Sequence, residues 1–361
     1  MTTALPPSRS EILAWLHQDD EARLAALWTS ADQVRQQHVG DAVHLRGLIE
    51  LSNHCARLCG YCGINAGNPL VERYRMSAEE ILVCAHKAVA FGYGTVVLQS
   101  GEDWGQSTAW ITDLIRRIKA ETPLAVTLSL GERKDEELIA WRRAGADRYL
   151  LRFETSDRTL YARIHPALGG KVSDRPALLR RLRELGYACG SGVMVGIPGQ
   201  TFEILADDLE LMRDLDLDMI GIGPWLPHPA TVLVKDGWEF AAPSGEQVPN
   251  NELMTLKMVA LARLMCPHAN IPSTTALATI NQTDGREHGL QRGANIVMPN
   301  LTPVEYRAKY EIYPGKACIT ESAEDCDACI KGRIQRIHRQ VGSGRGDAPN
   351  RLARLSTKET P

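Results

Sequence analysis

Val43-His44-Leu45-Arg46-Gly47-Leu48-Ile49-Glu50-Leu51-Ser52-Asn53-His54-Cys55-Ala56-Arg57-Leu58-Cys59-Gly60-Tyr61-Cys62 is an apolar, β-type run (Val43–Leu51) that leads straight into three cysteines spaced C-x3-C-x2-C. A loop of that spacing directly after a strand can wrap three thiolates around one compact centre. Zinc is satisfied by four ligands. The nearest fourth candidate, His54, points away from Cys55 on an extended segment. Three thiolates and no fourth ligand suit a [4Fe–4S] cluster with one iron left free for a substrate. A zinc site, or three buried thiols, is the alternative reading.

Outward from this stretch, short β-type runs alternate with helical patterns. Two helical stretches precede it, Ser10–His17 and about Glu21–His38. Further strands are expected at Thr95–Gln99, Leu124–Leu130, Arg148–Phe153, Gly190–Ile197, Met219–Gly223, Ile271–Ala276 and Asn295–Met298. Helices are expected between them, the first opened by the capping box Ser77-Ala78-Glu79-Glu80. About eight βα units result, the count a closed parallel barrel needs. An open doubly wound sheet has the same periodicity. Polar or Gly-rich segments recur just after the strands, where a barrel carries its chemistry, and this favours a complete (β/α)8 TIM-type barrel. The expected organisation is an N-terminal helical segment (1–40), a barrel (41–305) and a C-terminal extension (306–361).

The 361 residues carry 41 Lys and Arg against 44 Asp and Glu, a formal charge of −3, which excludes the basic footprint of a dedicated nucleic-acid binder. A mean hydropathy of −0.22 with 24% charged residues excludes wholesale disorder. No apolar run reaches the roughly 20 residues of a membrane span. The opening Met1–Ser8 has no basic or apolar leader pattern, so a cytosolic chain is expected. Nine cysteines, an odd number, argue against a disulfide framework. Six of them cluster as metal ligands would, at Cys55, Cys59 and Cys62 and at Cys318, Cys326 and Cys329. Cys84 and Cys266 are expected to be buried small hydrophobes, and no role is assigned to His165 or His228.

The C-x3-C-x2-C loop, with an aromatic before its last cysteine and at the mouth of a βα barrel, resembles the radical S-adenosylmethionine (SAM) superfamily. That resemblance implies a [4Fe–4S] cluster whose open iron is chelated by SAM. Reductive cleavage of SAM then gives a 5′-deoxyadenosyl radical, so no side chain is expected to be catalytic in its own right. It further implies a cofactor site at the strand ends. Tyr61 packs beside the adenine, and Gln99-Ser100-Gly101-Glu102 hold the methionine amino group. Glu154 and Arg175 bind the charged ends of methionine, and Gly196 and Ile197 approach the adenosine.

The second triplet, with Ser52-Asn53-His54-Cys55, Tyr74-Arg75-Met76-Ser77, Arg152-Phe153-Glu154-Thr155 and Tyr310-Glu311-Ile312-Tyr313-Pro314-Gly315, resembles the HydE family of [FeFe]-hydrogenase maturases. This implies a second Fe–S cluster, [2Fe–2S] or [4Fe–4S], at Cys318, Cys326 and Cys329. It implies a small organometallic guest, a cysteine-bound iron carrying carbon monoxide and cyanide, held by Arg152, Thr274, Thr275, Tyr310 and Tyr313. Expected partners are the maturases HydF and HydG and a low-potential electron donor, with no nucleic acid or membrane. A methylornithine synthase (PylB)-like mutase is a second reading within this class. A non-catalytic Fe–S carrier or scaffold is the reading from another class, and biotin synthase is a more distant relative.

Overall fold

The computed structural model describes residues 5–235, 242–243 and 245–356. Its centre is a parallel α/β sheet of β1 (Ala42–Ser52), β2 (Thr95–Ser100), β3 (Ala125–Ser129), β4 (Arg148–Leu150), β5 (Ala188–Val195), β6 (Met219–Pro224) and β7 (Ile296–Val297), in the order β6-β5-β4-β3-β2-β1-β7. A short β8 (Gln340–Gly342) also pairs with β1. The strands are buried on both faces. The run Val43–Leu51 is therefore almost continuously buried instead of alternating. The expected capping box is present: Ser77 and Glu80 satisfy each other's backbone N–H groups at the start of the helix Ala78–Ala90.

One expected strand is not formed. Ile271–Ala276 makes only isolated parallel bridges around it, Met219 to Asn270 and Pro272 to Ile296. From Thr275 the chain is already helical (Thr275–Ile280). The reason is local: Thr274 caps the helix by accepting from the Leu277 N–H, and this outweighs the strand preference of its β-branched side chain. β4 is likewise shorter than the expected Arg148–Phe153. Beyond it Glu154 adopts a positive φ of 65°, and the chain rejoins β5 only through a bridge to Val193.

The C-terminal extension is integral to the sheet. After the helix Ala323–Arg336 and β8, residues 344–347 cross beneath the strands' N-terminal ends. The Arg345 carbonyl accepts from Thr95 Oγ1 and Arg148, and the Gly346 carbonyl accepts from Arg46 and Asn270. Asp347 pairs with Arg148 at 2.8 Å. This strap closes the end opposite the cysteine loop. Among the described residues, no helix is long and apolar enough to cross a membrane.

Candidate active site

The cysteine loop leaves β1 at Ser52 and is pinned by its neighbours before any metal is considered. Asn53 is fully buried. Its Nδ2 donates to the carbonyls of Glu72 and Lys309, and its Oδ1 accepts from the Tyr74 N–H. Arg73 grips both ends of the loop: Nη1 donates to Asn53 O at 2.6 Å and Ile64 O at 2.7 Å, and Nη2 to Asn65 O at 2.7 Å. Neither residue stands out in the sequence, because each acts through backbone carbonyls. Two glycines are required by close approach. A Cβ on Gly101 would lie 2.3 Å from His54 O, and one on Gly63 would lie 2.3 Å from Glu311 O.

Cys59 is buried, and Cys55 and Cys62 are partly so. Burial pushes the Cys59 thiol up to about 12, while Cys55 and Cys62 move the same way for the same first reason. Cys59 and Cys62 also feel the Glu154 carboxylate, which places that residue beside the loop. Thiols this reluctant to ionise need a cation to replace their protons. Among the described residues, no three His, Cys, Asp or Glu side chains converge closely enough to hold a single metal ion. Three thiols from one loop, each feeling the others' charge, are the donor set of a multi-iron cluster with one open iron.

Around the loop the mouth is partly polar and partly apolar. Tyr61 packs with Leu160, Ile164, Met194, Ile197, Leu233 and Trp225 in an apolar cluster separate from the main core. This brings together Tyr61 and Ile197, both expected against adenosine, and adds Trp225, which the sequence reading did not single out. Opposite them, Glu154 is 6% exposed, and its Oε2 has no hydrogen-bond partner. Arg152 Nη2 stands 3.4 Å from that oxygen, and the Arg152 Nε is itself buried and unpartnered. A buried carboxylate oxygen and a guanidinium N–H left open side by side fit a guest that carries both an ammonium and a carboxylate, as the methionine end of SAM does. The strained backbone of Glu154 is the kind of feature that collects at binding sites.

Other expected residues are present but already engaged. Both oxygens of Glu102 are taken, by Arg57 Nε at 2.8 Å and by the Glu132 N–H at 3.0 Å. Arg175 donates to Glu132, to Arg152 O and to His165. Beside it His165 is fully buried, and burial, then Arg175 and Arg57, push it down to about 2, so it stays neutral. Arg175 also lies 4.0 Å from Glu154 Oε1 and acts on the Cys59 thiol, so it stands beside the cysteine loop. The amides of Gly196 and Ile197 both donate to the side-chain carbonyl of Gln200, which is fully buried and therefore shapes that segment. Ser100 donates to its neighbour's carbonyl, and Gln99 donates to the Tyr310 hydroxyl at 3.3 Å. The Thr274 hydroxyl is occupied by its cap and by Ile222 O, while Thr275 faces a separate cavity next to the second triplet. Tyr310 is 2% exposed, and the Lys316 ammonium sits 5.2 Å from its ring centroid. Burial pushes the Tyr313 phenol up, and the Arg286 and Arg152 guanidinium groups oppose this.

The second triplet also assembles. Cys326 and Cys329 lie one turn apart on the helix Ala323–Arg336, and Cys318 reaches Cys326 from a positive-φ turn. Each thiol has its own guanidinium: Arg286 for Cys318 at 4.0 Å, Arg307 for Cys326 at 3.9 Å, and Arg333 for Cys329. Cys326 beside it, helped by Arg286, holds the Cys318 thiol below its ordinary range despite its burial.

Residues 49–212 match the Radical SAM superfamily. The chain is 45% identical to the "[FeFe] hydrogenase maturase subunit HydE" of Thermotoga maritima over 317 residues, 88% of this chain and 87% of that protein. It is 29% identical to the 3-methylornithine synthase of Methanosarcina acetivorans over 347 residues, covering 95% and 91%. In three dimensions it resembles the crystal structure of methylornithine synthase (PylB), with a TM-score of 0.79 at 24% identity over 98% of this chain and 97% of that one. It also resembles the maturase HydG, with a TM-score of 0.78 at 17% identity over 98% and 77%. With a three-thiol loop, a buried acid beside it and a relative of this closeness over most of its length, the chain belongs to the radical SAM superfamily and, within it, to the HydE family.

Proposed function

We propose that this protein is a radical SAM enzyme of [FeFe]-hydrogenase maturation. The observation that carries this reading is the juxtaposition of Cys55, Cys59 and Cys62 with the open Glu154–Arg152 pair inside a chain 45% identical to a HydE. Cys55, Cys59 and Cys62 would hold a [4Fe–4S] cluster. With SAM on its open iron, that group supplies one-electron reductive cleavage of the sulfonium.

The protein's own part is binding, orientation and exclusion of water. Glu154 accepts from the methionine ammonium, and Arg152 receives an anionic group. Gln99, Ser100 and Gly101 line the strand-two side, while Glu102 and Arg175 fix the loops that carry the site. Tyr61, Ile197 and Gly196 form the adenosine wall. The guest is a small cysteine-bound iron–carbonyl–cyanide species in the mouth, near Arg152, Tyr310 and Tyr313. We read the sheet as a complete (β/α)8 ring, a reading supported by the bridges of Asn270 and Pro272, with the guest space at its upper end. Cys318, Cys326 and Cys329 hold a second Fe–S cluster, supported by the arginine beside each thiol. HydF, HydG and a low-potential donor are the partners.

The test is anaerobic reconstitution with iron and sulfide, followed by dithionite and SAM. Cys55→Ala, Cys59→Ala and Cys62→Ala each abolish 5′-deoxyadenosine formation, while Cys326→Ala leaves it largely intact. Equal behaviour of all four variants overturns this division of labour.

A further inference from the structure

We propose that Asp208 is a positioning residue for SAM: its carboxylate ties the turn that carries Glu154 to the segment that carries Gly196 and Ile197, and SAM binding drives off its proton. The inference rests on the SAM site read above and adds to it a group that acts from behind, through those two segments.

Asp208 lies on the helix Phe202–Asp214 and is fully buried. Its Oδ1 accepts from the Ser156 N–H at 2.6 Å, and its Oδ2 accepts from Gln200 Nε2 at 3.4 Å. The same Gln200 amide turns its oxygen to the N–H groups of Gly196 and Ile197, at 2.7 and 3.3 Å. Acceptors on the Nε2 side, Asp208 and the Met194 carbonyl, therefore fix which way that amide faces. Ser156 follows Glu154 by two residues and leads into the helix Arg158–Ile164, whose Leu160 and Ile164 pack in the Tyr61 cluster. One carboxyl thus restrains both the strained Glu154 turn and the adenosine wall.

The groups that reach Asp208 through these two bonds are donors only, which suits a carboxylate, yet the charges around it do not. Asp157 from the turn and Asp207 from its own helix both act on it, and both are negative. Arg9 pairs with Asp207 at 2.6 Å, and Lys257, from the helix Glu252–Met265, turns to Leu16 O and Asp19. The strand that the helix packs on, β5, has no charged side chain. Burial pushes the Asp208 carboxyl up to about 7, against the pull of Ser156. The buried Ser156 hydroxyl lies beside it, committed to no other group, and gives the neutral acid an acceptor. Near neutral pH the free protein therefore holds both forms, a neutral acid that lets Gln200 go and a carboxylate that holds both segments. SAM carries an ammonium and a sulfonium against one carboxylate and needs both segments in place, so it selects the ionised form.

Anaerobic calorimetric titration of SAM into the reconstituted protein, in two buffers of different ionisation enthalpy, counts the protons released on binding. At pH 7 the unsubstituted protein releases about 0.4 proton more per SAM than Asp208→Asn does, the yield of a group titrating at about 7 whose midpoint falls by roughly one pH unit. Protons exchanged by SAM's own ammonium appear in both proteins and cancel. By the same linkage the Kd for SAM weakens about fivefold from pH 8 to pH 6 in the unsubstituted protein. Asp208→Asn, neutral throughout like the protonated acid, keeps the weaker low-pH affinity and loses that step. Ser156→Ala leaves Asp208 and the Ser156 N–H in place but removes one donor from the carboxylate, and it moves the step to higher pH. Equal proton counts and parallel pH profiles in Asp208→Asn and its parent, or a step that Ser156→Ala leaves where it was, overturn the proposal while the SAM site stands. SAM that binds none of the three proteins at any pH overturns the reading of the site together with the proposal.

Discussion

Replacing Arg73 with Met removes the clamp on the cysteine loop while keeping much of the side chain's length. Three donor contacts of 2.6–2.7 Å are lost at once. Hydrogen bonds from a charged donor are worth roughly 1.5–3 kcal/mol each. One guanidinium makes all three and is only partly buried, so the contributions do not add in full, and about 2–4 kcal/mol of loop restraint is a reasonable total. That corresponds to a rise of roughly 30- to 1000-fold in the population of the opened loop. The loss is local, because the hydrogen bonds of Arg73 all go to the cysteine loop and its flanks, so global unfolding in urea should barely shift. Two measurements read the loop directly: hydrogen exchange of residues 53–66 in the cluster-free protein, and the rate at which a chelator strips iron from the reconstituted one. Both should accelerate in Arg73→Met. Arg73→Lys, whose single ammonium cannot span three carbonyls, should fall in between. If exchange and iron loss in Arg73→Met match the unsubstituted protein, the loop is held by its other contacts and the clamp is not what restrains it.

Glu154→Gln should leave iron content unchanged and abolish the SAM-induced change in the electron paramagnetic resonance of the reduced cluster; a normal response would remove Glu154 from the site. Gln200→Leu strips the Gly196 and Ile197 amides of their shared acceptor, and SAM affinity should fall about tenfold or more by equilibrium binding, since each orphaned buried donor costs roughly 1–3 kcal/mol. His165 sets an acid limit. Its folded value of about 2 lies below the ordinary 6.5, so the unfolded chain binds the proton first, and the contribution of neutral His165 is fully present above about pH 6.5 and is lost as the pH falls below it. In His165→Gln, urea stability measured from pH 7 to pH 4 should decline less steeply than in the parent, and parallel curves would contradict this.

Much of the scaffold was legible because its signals are local. The apolar run before Cys55, the Ser77–Glu80 box and the spacing of the three thiols each report a structure set by neighbouring residues. What could not be read is set by distant ones. Nothing near Arg73 announces that its targets are three carbonyls of the cysteine loop, and Gln200 resembles any loop glutamine until the fold brings Gly196 and Ile197 against it. Glu102 and Arg175 are expected at the cofactor from the superfamily resemblance. The structure adds contacts that cross from one loop to another, from Glu102 to Arg57 and from Arg175 to Glu132, His165 and Glu154. At Thr274 and Thr275 hydroxyl capping and strand propensity compete in the same residues, and here the cap prevailed over the expected strand. Nothing beside Trp225 in the sequence announces the apolar cluster that it shares with Tyr61.

The strand that delivers the cysteine loop is finished by residues from the far end of the chain. β1 receives β7 and β8 as well as β2, and its lower end is sealed by the strap at 344–347, which is synthesised long after the cysteine loop. A ribosome-bound nascent chain can therefore display Cys55, Cys59 and Cys62 long before their supporting strand has its full set of neighbours. Iron and sulfide delivered during translation would meet thiols on an unbuttressed ledge, so durable cluster insertion belongs to the released, completed protein.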